Sequence, residues 1–120
     1  MTDKQVILQD LLNQVVTYRD ARDWKQFHNP KDLSITLMLE AAELLEHFQW
    51  KNDEEIKRHI KNNVSDIGEE LADVLYCILL LTHELNIDLN KAFEAKMRKN
   101  ESKYPIDKAK GSHAKYTTYQ

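Results

Sequence analysis

The chain has 120 residues, of which 31% are charged, and its formal net charge is −3. This length predicts one domain, and the weakly acidic balance argues against binding to a nucleic-acid polymer. The longest apolar run, Val74 to Leu81, is too short to span a bilayer, and the N-terminus lacks the pattern of a secretory signal. We therefore expect a cytoplasmic protein with no membrane partner. The single cysteine, Cys77, excludes an intrachain disulfide and a multi-thiolate zinc site.

The first half of the chain predicts two main helices. The first spans about residues 4–22, and its apolar side consists of Val6, Leu8, Leu11, Leu12, Val15 and Val16. A loop then carries the segment WKQFHNP. The second helix begins at Lys31 or Asp32, with Asp32 as its N-cap, and ends near Gln49.

The second half predicts two more main helices, so the expected fold class is all-α. Residues 53–63 are polar and indicate a short helix or a single helical turn. The third main helix begins near Ser65, a cap without a capping box because Gly68 stands three residues later. It runs to about Leu85 and is apolar nearly all round from Leu71 to Leu81, which predicts burial on more than one side. Asp88 caps the fourth helix, which ends near Lys103. We expect a helical domain over residues 1–104 and a polar tail over residues 105–120.

Two carboxylate pairs stand in apolar surroundings, which is unusual for a helix. Glu40 and Glu43 share one face of the second helix, and Glu70 and Asp73 share one face of the third. If these helices pack together, four carboxylates meet, and burying even one without a partner costs on the order of several kcal/mol. A single pair of this kind is usually a solvated face, but two pairs favour a cation site. Oxygen ligands suit Mg²⁺, with Mn²⁺ as a substitute.

Several segments in order resemble one known family. EAAE followed by ELAD, together with WKQFHNP, LEHFQW, KMRKNESKYP and KGSHAKYT, resembles the MazG-like all-α nucleoside triphosphate pyrophosphohydrolases. The likeness covers residues 22–117 and is strongest to the small dCTP pyrophosphatase branch. It implies a four-helix MazG-like bundle, assembled as a homodimer or tetramer, that cleaves a (d)NTP to a (d)NMP and pyrophosphate. It also implies that Mg²⁺ is held by Glu40, Glu43, Glu70 and Asp73.

The same resemblance implies three groups of substrate-binding residues. Trp24, His28 and Trp50 would line the nucleoside pocket, although tryptophans in a small helical protein are commonly core or interface anchors. Lys96, Asn100 and Lys103 follow helical spacing and would converge with Tyr104 on phosphate or base; the alternative is a solvated helix end. Lys115 and Tyr116 would fold over the site, or else belong to a disordered tail.

Some assignments stay open at this point. The general base is Glu43 or Glu46, while Glu46 and Glu69 are each a ligand, a supporting group or plain surface. Where the dCTP pyrophosphatase branch often has Tyr, this chain has Cys77, so dCTP preference and the choice between ordinary and modified nucleotides remain undecided. Alternative functions are a phosphoribosyl-ATP-type pyrophosphohydrolase and a non-enzymatic helical oligomerisation module. A di-iron centre is excluded because the Glu-x-x-His pairs it needs are missing.

Overall fold

Helices are the only regular secondary structure in residues 7–119, the part of the chain that this computed structural model describes. Its elements are α1 (Leu8–Ala21), a 3₁₀ turn (Lys25–Phe27), α2 (Pro30–Glu46), α3 (Asp53–Glu84), α4 (Leu89–Lys103), α5 (Ile106–Ala109) and a second 3₁₀ turn (Tyr116–Tyr119). The all-α prediction is confirmed. The predicted helix start at residue 4 and its apolar residue Val6 lie outside the described residues. The described residues form two compact units, which divide between Asn86 and Ile87.

The N-cap of α2 differs from the prediction by three residues. Asn29, rather than Asp32, is the N-cap, and its Oδ1 accepts the backbone N–H of Asp32 at 2.9 Å. Asn29 Nδ2 also donates to the Asp32 carboxylate at 2.7 Å. Pro30 then occupies the first helical position, where its missing N–H is no loss. The Asn-Pro pair was therefore the stronger start signal.

The predicted short helix and the third main helix form one helix, α3, with a kink. Asn52 and Glu55 make a capping box at its start, with bonds of 2.9 and 3.2 Å between the side chain of each and the backbone N–H of the other. The backbone leaves helical geometry at Asn63, with φ −132° and ψ 23°. The predicted division between a helix over residues 53–63 and a helix starting near Ser65 is therefore confirmed to within two residues, although the break falls at Asn63 rather than at Ser65.

The core of the first unit lies where α1 and α2 pack against α3. Leu33 of α2 is buried with Cys77, Leu79 and Leu80 of α3. The predicted burial of α3 on more than one side holds for that part only, because Leu71 is 52% exposed in the isolated chain. Arg19 of α1 is also buried, and its Nη2 pairs with Asp20 at 2.9 Å.

In the second unit, α4 matches its predicted bounds and its predicted cap. Asp88 accepts the backbone N–H of Lys91 at 3.2 Å. The C-terminal segment is folded rather than disordered, because α5 and the second 3₁₀ turn bring the Tyr104 and Tyr116 rings to a centroid distance of 6.1 Å. Within the described part of the chain, every helix is too short or too polar to cross a membrane.

Candidate active site

Three glutamates from two helices form an acidic cluster. Glu40 and Glu43 on α2, and Glu70 on α3, each offer a carboxylate oxygen, and these oxygens all lie within 4.8 Å of one another. Asp73, the fourth residue of the predicted set, falls outside this close group. Its charge nevertheless acts on Glu40 and Glu70, so it lies nearby. The prediction that the two helices bring their carboxylates together is confirmed for the three glutamates.

The cluster is electrostatically unsatisfied. Burial, followed by the charges of Glu43 and Asp73, raises the pKa of Glu40 above its usual range. Burial and contact with Glu43 likewise raise the pKa of Glu70. Glu40 Oε2 and Glu70 Oε2 are buried and have no hydrogen-bond partner within residues 7–119. Glu43 reaches both neighbours, but an ionised carboxylate has no proton to donate.

These carboxylates suit a hard divalent cation. A cation would neutralise the repulsion that raises both pKa values, and it would coordinate the two oxygen atoms that lack partners. Clustered carboxylate oxygens are the ligands that Mg²⁺ and Mn²⁺ prefer, and neither histidine nor cysteine joins the close group among the described residues.

An aromatic cavity of about 460 Å³ lies beside Asp73, the fourth carboxylate of the predicted set. The Tyr18 ring contacts Trp24 and Tyr76 edge to face, at centroid distances of 5.7 and 6.1 Å. The residues that line this cavity are Gln14, Val15, Tyr18, Trp24, Ala72, Asp73 and Tyr76. Of the predicted nucleoside-binding residues, this cavity contains Trp24.

Sequence reasoning missed Tyr18 and Tyr76 as cavity residues. Tyr76 lies three positions after Asp73, so helical spacing alone would have placed the two on one face. Position 77, where the related branch often has Tyr, is Cys in this chain. The tyrosine one position earlier, Tyr76, lines the cavity instead. Cys77 itself is buried, and burial followed by the charges of Glu40 and Asp73 raises its pKa to about 11.

A second cavity, which we call the histidine cavity, has a volume of about 340 Å³ and is lined by two glutamates of the acidic cluster. Glu43 and Glu70 line it together with Glu46, His47 and His59. Burial, with the charges of Lys51 and His47, lowers the pKa of His59. Neither histidine was predicted as a site residue. His47 was nevertheless visible one position after Glu46, within the LEHFQW segment.

Neither His28 nor Trp50, both predicted nucleoside-pocket residues, lines the two cavities described above. His28 Nδ1 is buried without a partner in the described chain, and burial together with the charge of Arg19 lowers the pKa of its imidazole. Trp50 is 92% exposed, and its backbone has φ +65°, a left-handed conformation that is rare for a bulky residue. Their roles toward a nucleoside stay predictions.

The remaining predicted substrate residues belong to the second unit. Lys103 Nζ lies 4.7 Å from the centroid of the Tyr116 ring, and both residues line a cavity of about 220 Å³ beside α5. Tyr104 packs on Tyr116, whereas Lys96 and Lys115 are exposed and Asn100 is half-buried. The structure therefore groups Lys103, Tyr104 and Tyr116, and the binding roles of all six residues stay predictions.

Comparison with known proteins defines the family. The sequence model of the MazG-like family matches residues 35–118, and the chain belongs to that family. It is 37% identical over 112 residues to dCTP pyrophosphatase 1 of Rattus norvegicus and of Homo sapiens, covering 92% of this chain and 66% of each relative. A pyrophosphatase from Archaeoglobus fulgidus DSM 4304 is 36% identical, with a TM-score of 0.77 over 88% of this chain and 98% of that one. The resemblance to the dCTP pyrophosphatase branch is confirmed.

Proposed function

We propose that the protein is a Mg²⁺-dependent nucleoside triphosphate pyrophosphohydrolase that cleaves a (d)NTP to a (d)NMP and pyrophosphate. The observation that carries this proposal is the unneutralised acidic cluster of Glu40, Glu43 and Glu70 beside an aromatic cavity. The names of the relatives support it, since they are a dCTP pyrophosphatase and a pyrophosphatase. We propose dCTP-like or modified nucleotides as substrates.

In this proposal the acidic residues hold the cation and the aromatic residues hold the base. Glu40, Glu43, Glu70 and Asp73 would hold the cation, which when bound supplies charge neutralisation and activation of a water molecule. Trp24 and the two cavity tyrosines offer ring faces on which a base stacks. The α-phosphorus then lies near the glutamates, where water attacks and pyrophosphate leaves. Positioning and electrostatics supply most of the catalysis in reactions of this kind.

We propose that the proton acceptor for the attacking water is a glutamate of the histidine cavity. Glu43 and Glu46 both line it, so each can reach a water there. Glu46 lies outside the close group of three glutamates, and its carboxylate is therefore free of the ligand role proposed for Glu43. A Glu46→Gln variant that binds substrate normally but turns over slowly would identify Glu46 as the base.

The decisive experiment is a substrate panel with purified protein and Mg²⁺. The panel contains the ordinary dNTPs and NTPs, methylated and oxidised dNTPs, and phosphoribosyl-ATP, with monophosphate and pyrophosphate measured separately. We expect pyrophosphate release from at least one dNTP and its loss in Glu43→Gln. Glu69→Gln, an exposed glutamate of α3 outside the close group, is the matched control and keeps its activity. No cleavage of any dNTP would refute the proposal.

We also propose that the enzyme is a homo-oligomer. Met38 is 72% exposed in the isolated chain, and Ile35, Leu39 and Leu45 of α2 are at least half exposed, an apolar surface that water disfavours. The strained, exposed Trp50 would then contact the nucleoside bound to a neighbouring copy. We expect Met38→Lys to shift the protein toward monomer in sedimentation-velocity experiments. A monomeric wild-type protein at the same concentration would contradict this.

A further inference from the structure

A chain of hydrogen bonds joins Asn63, at the kink of α3, through His59 to His47, at the end of α2. Asn63 Nδ2 lies 3.0 Å from the backbone carbonyl oxygen of His59 and 3.2 Å from His59 Nδ1. His59 Nε2 lies 2.7 Å from His47 Nδ1. The connection therefore runs from the kink residue of α3 to the residue that follows the last turn of α2.

The direction of these bonds follows from the acceptor at one end. A carbonyl oxygen accepts only, so the Asn63 atom that faces it is the amide nitrogen, which donates. The same nitrogen lies 3.2 Å from His59 Nδ1, and a hydrogen bond between the two requires Nδ1 to be the unprotonated acceptor. His59 therefore carries its proton on Nε2 and donates it to His47 Nδ1. His47 in turn carries its proton on Nε2, and no residue within 7–119 accepts it.

His47, which carries this N–H, lines the histidine cavity. Of the five side chains that line the histidine cavity, three are glutamates and two are histidines. The His59 N–H is already donated to His47, which leaves His47 Nε2–H as the unused donor. A metal-ligand role is disfavoured, because neither imidazole nitrogen lies within 4.8 Å of all the glutamate oxygens of the close group.

We infer that His47 donates its Nε2–H to a phosphate oxygen of the metal-bound polyphosphate, and that His59 and Asn63 are positioning residues that fix its tautomer. The inference rests on the proposed function, because it assigns the histidine cavity to the phosphates and the aromatic cavity to the base. An imidazole N–H suits this place, since it can donate a hydrogen bond to a phosphate oxygen.

The test measures pyrophosphate binding, so it does not depend on turnover. Isothermal titration calorimetry with inorganic pyrophosphate and saturating Mg²⁺ compares wild type with His47→Phe, which keeps a ring but has no N–H. We expect affinity to fall about ten- to a hundredfold, the value of a hydrogen bond to a charged group. His47→Gln, whose amide nitrogen can occupy the Nε2 position, recovers most of the affinity. His83→Leu, an exposed histidine of α3, is the control and binds as wild type.

The positioning role has its own measurement. Nitrogen-15 NMR of the wild-type imidazoles should show both His47 and His59 protonated at Nε2. His59→Leu should lose this single tautomer at His47 and weaken pyrophosphate binding, whereas His59→Gln, which keeps an N–H donor for His47 Nδ1, preserves both. Equal affinity of wild type and His47→Phe, no pyrophosphate binding by wild type, or protonation of His47 at Nδ1 would each overturn the inference. Failure of the substrate panel with the binding differences intact would instead refute only the proposed reaction.

Discussion

Two stretches of α3, one helical turn apart, differ in how closely they pack against the neighbouring helices. Around Glu70 and Asp73 the packing leaves carboxylate oxygens that are buried without partners, and cavities open on both sides. From Cys77 to Leu80 the same helix is closed, with Cys77, Leu79 and Leu80 each 2% exposed. The backbone is helical in both, so the difference arises from side-chain chemistry and from what the neighbouring helices place opposite.

This contrast separates stability from function along one helix. The closed stretch stabilises the fold by removing apolar surface from water. The open stretch destabilises the metal-free fold, because desolvation and repulsion raise the pKa values of Glu40 and Glu70. The same repulsion makes the cluster a strong attractor for a cation. Changes in the open stretch should therefore alter activity and metal response, and changes in the closed stretch should alter stability alone.

The largest expected effect is the loss of activity on neutralising the open stretch. Glu70→Gln removes one charge and one oxygen ligand, and we expect kcat/KM to fall on the order of a thousandfold. The melting temperature without metal should rise, because a source of repulsion is gone. Calorimetry and the pyrophosphate-release assay measure the two effects. A variant that loses activity and also becomes less stable without metal would break the proposed contrast.

The next largest effect lies in the closed stretch. Leu79→Ala should lower the free energy of unfolding by about 2–5 kcal/mol, because the lost contacts leave a cavity in a packed core. The rise in melting temperature on adding Mg²⁺ should remain as in wild type, since Leu79 is not part of the acidic cluster. Urea denaturation with and without Mg²⁺ tests both statements. A changed Mg²⁺ response would mean that the two stretches are coupled.

The metal and pH responses sharpen the comparison further. Because the folded-state pKa values of Glu40 and Glu70 are raised, the folded protein keeps protons that the unfolded chain releases. This contribution to stability is full below the ordinary value of 4.5 and is lost as the pH rises through the raised pKa values. Mg²⁺ at a hundred times its Kd should then add about 2.7 kcal/mol at neutral pH.

A double variant isolates this contribution from the other titrating groups. In Glu40→Gln/Glu70→Gln the pH-dependent loss above 4.5 should be smaller than in wild type, and the Mg²⁺ stabilisation should largely vanish. Thermal melts across the pH range, with EDTA and with Mg²⁺, provide the comparison. Identical pH profiles for the two proteins would show that the cluster does not destabilise the metal-free fold.

The smallest effect is expected at Cys77, the first residue of the closed stretch. With a pKa of about 11, only about one thiol in a thousand is ionised at pH 8, and the side chain is buried. Iodoacetamide should therefore leave the native protein unmodified, while protein unfolded in urea reacts fully. Mass spectrometry measures both. Rapid labelling of the native protein would show that the closed stretch opens readily.

Local sequence patterns correctly predicted much of the fold. The bounds and cap of α4 followed from Asp88 and the apolar spacing, and the carboxylate pairs predicted an acidic cluster because residues three apart share a helix face. The predicted N-cap of α2 was wrong, and the break in α3 falls at Asn63, two residues before the predicted helix start at Ser65. In both places an asparagine side chain, Asn29 or Asn63, satisfies backbone groups in a way that the hydrophobic pattern does not reveal.

The sequence by itself determined the helical class, the family and the identity of the acidic residues, because each depends on short-range spacing or on ordered motifs. The tertiary structure decided which carboxylates approach within 4.8 Å and which aromatic rings surround Asp73. It also joined His47 to His59 across twelve positions of sequence. These relations depend on how α1 and α2 pack on α3, and no local pattern specifies the rotation of one packed helix against another.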